Sequence, residues 1–254
     1  MKSRENLSEY LAIAASLAVG AVAWEVSGRM ASGAFCAPLS ATLKNLWDVA
    51  RDGVLLRQCL SSFQLYVTCL LIAIAVGAPL GLLLARVAWL RTALDPYIMM
   101  LYARPMVALV PFILSIMGFG FAPKVLVVFL FAVFPVLYNT VEGGRSVRPE
   151  LVEVAQAFRS NEWQLWRDVM IPYTLPFTMT GIRQAIARGL VGMVVAEFFL
   201  SPSGLGQMIM MGSQNFDTAG MLSAILMIIV VGVGLMDLGR HLENRFAAWR
   251  GESR

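Results

Sequence analysis

The residues that could do chemistry fall into two sets. Arg104, Arg183, Arg188 and Glu197 are ionisable groups set in long apolar runs, where a charge is expensive unless it meets a partner, a polar cavity or the membrane interface. Arg104 and Glu197 are candidates for lining a solute path, with interfacial anchoring and a structural hydrogen bond as the competing roles. The second set is Glu153 to Pro172, EVAQAFRSNEWQLWRDVMIP, a charged and aromatic island between apolar runs. Its chemistry is docking. Glu153 and the neighbouring arginines supply charge-assisted hydrogen bonds that can fix an angle, and Trp163 and Trp166 supply aromatic anchors for burial against a partner.

Catalytic chemistry finds little support. The chain has one histidine, His241, and three cysteines, Cys36, Cys59 and Cys69, without metal-ligand spacing. It contains no H-E-x-x-H, G-x-S-x-G or P-loop pattern. No catalytic residue, metal or cofactor of its own is expected.

The island reads as two short helices. Pro149 suits a first helical position, and Leu151, Ala155 and Phe158 recur on one face. The chain then bends around Arg159, Ser160 and Asn161. Ser160 is expected to cap a second helix with Trp163, Trp166 and Met170 on one face, and Pro172 to stop that helix or bend the chain sharply.

On these residues the segment resembles the cytoplasmic "EAA" loop of the membrane-spanning subunits of ATP-binding-cassette importers. Glu153, Ala155, Val169, Ile171 and Pro172 fall in register, whereas Val154 replaces the first Ala and Arg159 replaces a Gly. The stretches LYARPMVALVPFIL, FPVLYNTVEGGRSV and ARGLVGMVVAEFFLSPSGLGQMI are similar to the branch that imports sulfonates, nitrate and taurine. The resemblance covers roughly residues 60 to 240. It implies the type I importer permease fold, a second permease subunit, as a homodimer or heterodimer, and an extracytoplasmic solute-binding protein. Cytoplasmic ATPase subunits would engage Glu153, Ala155, Arg159, Trp163, Trp166 and Pro172, and ATP would be used by those partners. An ion-coupled secondary transporter and a non-transporting scaffold are the alternatives; the first would need inverted repeats, and neither gives the island a task.

Composition sets the elements that must position these groups. A 254-residue chain that is 58% hydrophobic and 14% charged cannot hide its apolar residues in a water-soluble core. The expectation is an all-helical, polytopic membrane protein with about six transmembrane helices. Spans are expected at about 10–26, 58–85, an irregular third from Pro96 to Gly120, 125–141, 172–200 and 218–236. Residues 1–57 would hold the first helix, retained or cleaved as a signal peptide, and an outer interfacial helix with Leu43, Leu46 and Trp47. Residues 58–240 would form the permease core with its coupling loop at 142–180, and 241–254 a basic tail. Gly77, Gly81 and Ala85 would give a smooth strip for helix approach, within the subunit or between subunits.

About thirteen basic residues fall on one side of this arrangement and about five on the other. Both termini and the island are therefore expected in the cytoplasm of a bacterial-type inner membrane. The net charge of +4 is explained by this asymmetry. The basic residues form no stripe with interleaved aromatics, so no nucleic acid is expected as a partner.

Overall fold

A computed structural model of the chain describes residues 2–30, 36–103, 105–200 and 203–247. All regular elements among the described residues are helical. In order they are α1 (Lys2–Met30), α2 (Leu39–Arg51), α3 (Val54–Arg86) and α4 (Ala88–Ala103), then a 3-10 turn (Met106–Leu109) leading into α5 (Val110–Met117). They continue with α6 (Phe121–Arg145), α7 (Pro149–Ala157), α8 (Glu162–Leu165) and a π turn (Trp166–Met170). The last are α9 (Ile171–Leu200), α10 (Leu205–Gln214) and α11 (Thr218–Ala247). Among the described residues four helices are long and apolar enough to cross a membrane, and up to six spans result when each of two bent helix pairs counts as one.

Two expectations about local structure are corrected. Pro96 does not open the third span: α4 begins at Ala88 and runs through it. The break comes at Pro105, whose backbone is extended, and the helices on either side meet at 94°. Second, the stretch between the expected spans at 172–200 and 218–236, read from its sequence as an outer loop of turn chemistry, holds a helix: Leu205 to Gln214 form α10. Its Gly and Met residues look like turn chemistry, yet Leu205, Ile209 and Gly212 recur at helical spacing and are buried. Gly204, at φ 107, supplies the turn that precedes the helix.

The chain divides into two compact units. One comprises residues 1–60 and 203–229. Within it Trp24 Nε1 donates to the Ala37 carbonyl at 3.1 Å, and Glu25 accepts from the Ser40 backbone and hydroxyl, both at 2.9 Å. These bonds hold the start of amphipathic α2 against α1. Ser223 Oγ donates to the Thr42 carbonyl at 2.8 Å, so α2 is also tied to α11.

The other unit comprises residues 61–202 and 230–254. Its core joins Leu65, Tyr66 and Cys69 of α3 with Val127 and Val128 of α6 and Met193, Ala196 and Leu200 of α9. The smooth strip packs inside the subunit. A Cβ at Gly81 would lie 2.7 Å from the Thr140 Cβ and 2.9 Å from the Leu137 carbonyl, and Ala85 faces Gly144. In a bilayer, where lipid tails compete equally for apolar surface, such close backbone approach is a main source of helix attraction.

Candidate functional site

The island is built as a helix, a tight turn and a second helix. Arg148, in extended conformation, precedes α7, and Pro149 takes the first helical position, where its missing N–H costs nothing. The Glu150 carboxyl is held below its ordinary value by its own backbone N–H and then by Arg148. At the other end the Ser160 N–H reaches the Ala155 carbonyl at 3.0 Å, and the Arg159 N–H reaches the Gln156 carbonyl at 2.8 Å. This pair of bonds is a Schellman motif. It requires a left-handed residue at its turning point, and that residue is Arg159, at φ 54. The position where the resemblance expects glycine therefore has glycine's geometry with an arginine in it.

The second helix departs from expectation in three ways. Its cap is Asn161 and not Ser160: Asn161 Oδ1 accepts from the Gln164 N–H and the Gln164 side chain accepts from the Asn161 N–H, a capping box of two 2.8 Å bonds, while Ser160 completes the Schellman motif. Pro172 does not stop the chain. The π turn Trp166–Met170 precedes it, with the Ile171 N–H bonded to the Trp166 carbonyl five residues back, and the helix continues as α9. A π turn rearranges the carbonyls that a proline ring would otherwise strike. The same turn shifts the buried face: Leu165 and Met170 are buried, Trp166 is half-buried, and Trp163 is 70% exposed.

On α7 only Val152 and Ala155 are half-buried. Leu151, Val154 and Phe158 are exposed, the last at 82%, and so is Glu153, which pairs with no cation among the described residues. Arg86, at the end of α3, donates to Glu162 at 3.0 Å. The turn is thus tethered at one edge and open at the other.

The charged groups of the apolar helices are distributed separately. Arg104 lies outside the described residues. Glu197 is 1% exposed and accepts from Ser62 Oγ at 2.7 Å. Lys124, also buried, is close enough to be attracted by the Glu197 charge. It is the only charged residue between Arg104 and Glu142, a signal present in the sequence. Arg183 pairs with Glu243 of α11 at 2.9 Å, and Thr180 donates to the same carboxylate at 2.9 Å. Arg188 lies over the Tyr102 ring, 4.8 Å from its centroid, and donates to the Tyr102 hydroxyl at 3.0 Å. Nine residues separate Arg188 from Glu197, which at 100° per residue puts them on opposite sides of α9. Their different partners, Tyr102 and Ser62, agree with that.

The chain resembles known transport permeases. Aligned with RibX, a riboflavin transport system permease protein of Chloroflexus aurantiacus, it is 36% identical over 165 residues, 65% of this chain and 62% of RibX. It is 32% identical to SsuC of Bacillus subtilis, named for aliphatic sulfonates transport, over 89% of this chain and 83% of SsuC. Among solved structures, inward-facing MetNI methionine transporter matches with a TM-score of 0.62 at 15% identity, covering 73% of this chain and 92% of that one, which establishes a shared fold. Residues 77–248 match the family described as binding-protein-dependent transport system inner membrane component, and the chain belongs to that family.

Proposed function

We propose that the chain is the permease subunit of an ATP-driven, binding-protein-dependent importer, and that its solute is a small anion such as a sulfonate, nitrate or taurine. The observation that carries the reading is the Arg159 turn. It presents Glu153, Phe158 and Trp163 on an open edge, in the register at which the family's loop engages an ATPase. In this reading the ATPase closes on ATP and pulls this edge. The pull passes to the membrane helices mainly by the unbroken π-turn connection into α9, with the exposed Arg86–Glu162 bond as a weaker link to α3.

The remaining partners are an extracytoplasmic solute-binding protein and a second permease subunit, a copy of this chain in the simplest arrangement. Both termini and the island lie in the cytoplasm. The division into residues 1–57, the permease core 58–240 and the tail 241–254 belongs to the same reading. The solute class draws on the likeness to SsuC, while RibX carries a different solute in its name, so the binding protein sets much of the selectivity.

Glu153→Lys tests the coupling role. Reversing a docked charge costs on the order of 2 to 5 kcal/mol, so the variant should insert normally, lose most of its co-purifying ATPase subunit and lose uptake. Full uptake by Glu153→Lys would remove the island from the coupling role.

A further inference from the structure

Arg188 sits well inside the long apolar helix α9. It lies 17 residues from the start of α9 and 12 from its end, about 25 Å and 18 Å of helix at 1.5 Å per residue. A charge set inside an apolar helix either reaches an interface or faces a water-filled or solute-filled space, and Arg188 is exposed on its helix. The space is present. A cavity of about 270 Å³ is lined by Arg188 together with Tyr102, Met106, Phe131, Phe134 and Val191.

Among the described residues no carboxylate pairs with Arg188, in contrast to Arg183 with Glu243 and Arg86 with Glu162. What positions it is neutral. Tyr102 offers its ring face and its hydroxyl oxygen, and Tyr102 is itself stacked on Tyr138 with ring centroids 5.6 Å apart. The guanidinium is thus held in place with no counter-charge among the described residues, at a half-open pocket of otherwise apolar and aromatic lining.

We infer that Arg188 is the anion-selecting group of the translocation route, recognising the sulfonate or carboxylate of a small organic anion whose apolar part lies against Met106, Phe131, Phe134 and Val191. This rests on the permease reading above and adds the residue and the ligand chemistry to it. A planar guanidinium matches such oxyanions with paired hydrogen bonds. The low-dielectric walls strengthen the attraction and penalise cations in the same space.

The test does not require the natural solute. In membranes carrying the full chain with its partner subunits, and with Cys36, Cys59 and Cys69 replaced by serine or alanine, Val191→Cys places a thiol one turn from Arg188 on the same face. Its modification is followed with two thiosulfonate reagents, anionic 2-sulfonatoethyl and cationic 2-trimethylammonioethyl methanethiosulfonate, each rate normalised to that on free 2-mercaptoethanol. The anionic reagent should be favoured about ten-fold, as a unit charge a few ångströms away would produce, and butanesulfonate should slow it. Adding Arg188→Gln should abolish both the preference and the protection, while Arg188→Lys should keep part of the preference. An anionic preference that survives Arg188→Gln unchanged overturns the inference, as does protection by butylammonium in place of butanesulfonate. Co-purification of the ATPase subunit is scored on the same membranes: its absence from the unsubstituted chain counts against the permease reading and leaves the reagent ratio as an independent measure of Arg188.

Discussion

Between Phe121 and Leu200 the chain builds two helix pairs with opposite surfaces. Where α6 meets α9, small residues bring the backbones together: Gly143 lies against Phe177, Gly181 against the Pro135 carbonyl and Gly192 against Phe131. Where α7 meets α8, Phe158 and Trp163 are exposed at 82% and 70%. The first pair also makes polar contacts internally, as in the 3.0 Å bond between Thr140 and Thr178, although the buried Thr174 hydroxyl of α9 finds no partner among the described residues. The second leaves Glu153 open. Large side chains turned outward where small ones are turned inward are the mark of a surface completed by another molecule, since Trp and charged groups at a protected edge are the usual anchors of an interface. Changes in α6, α9 and their contacts are therefore expected to act on stability, and changes in α7 and α8 on association.

The sharpest test lies at the buried polar cluster. Glu197 is buried with Ser62 bonded to it and the opposite charge of Lys124, also buried, within its influence; removing one of two buried charges that compensate each other costs up to about 3 to 5 kcal/mol. If the two charges compensate each other, Glu197→Leu should lower the thermal midpoint of the detergent-solubilised protein strongly, and Glu197→Leu combined with Lys124→Met should recover much of the loss. Equal instability of single and double variants would show that Ser62 and not Lys124 is the partner that matters.

Next in size is close approach. Gly81→Leu forces a side chain into the Thr140 and Leu137 backbone region, and overpacking of this kind costs about 3 kcal/mol at its upper range. The expected result is poor folding with unchanged ATPase association in whatever fraction folds. Gly20, which has nothing within 4 Å, supplies the control: Gly20→Leu should be silent in the same melting assay.

On the opposite surface, Trp163→Ala should leave the thermal midpoint within about 0.5 kcal/mol of the parent, as exposed substitutions usually do. It should nevertheless weaken ATPase association by about 2 kcal/mol, the size of an aromatic anchor. A melting defect without an association defect would erase the distinction between the two pairs.

Legibility in the sequence tracks the range of the forces involved. Spans and the Pro149 helix start depend on neighbouring residues alone, and these are readable. So is the smooth strip Gly77, Gly81 and Ala85, but its partner is not, because spacing shows that a helix can approach and never which one does. Both Ser160 and Asn161 can cap by type, and which one does is set by where the Schellman turn ends. The π turn escapes a reading of the sequence because the proline that ends most helices here comes after a turn that makes room for it. Helix α10 is hidden by glycines whose burial only the tertiary structure reveals. For the charged residues, periodicity correctly separates Arg188 from Glu197, while the Tyr102 and Ser62 partners lie 86 and 135 residues away in sequence.

The smallest effect is expected at Arg159, where the two kinds of surface meet in one residue. Its φ of 54 carries a penalty of about 1 kcal/mol that glycine would not bear. Glycine also gains freedom in the unfolded chain, which takes back part of that sum, so Arg159→Gly should stabilise the turn by about 0.5 kcal/mol. Arg159→Ala keeps the left-handed strain and removes the same charge. If the residue matters only through its backbone, ATPase association is unchanged or slightly improved for the glycine variant and unchanged for the alanine variant, at any ionic strength. If the guanidinium meets an acidic patch on the ATPase, both variants weaken association by about 1.5 to 3 kcal/mol, and the deficit shrinks as salt screens the contact. The backbone outcome is the expected one, because an exposed arginine contributes little through a solvated charge. Measuring association of both variants at low and high salt separates the two cases, and a shared, salt-sensitive loss would move Arg159 from the inward-built architecture to the docking edge.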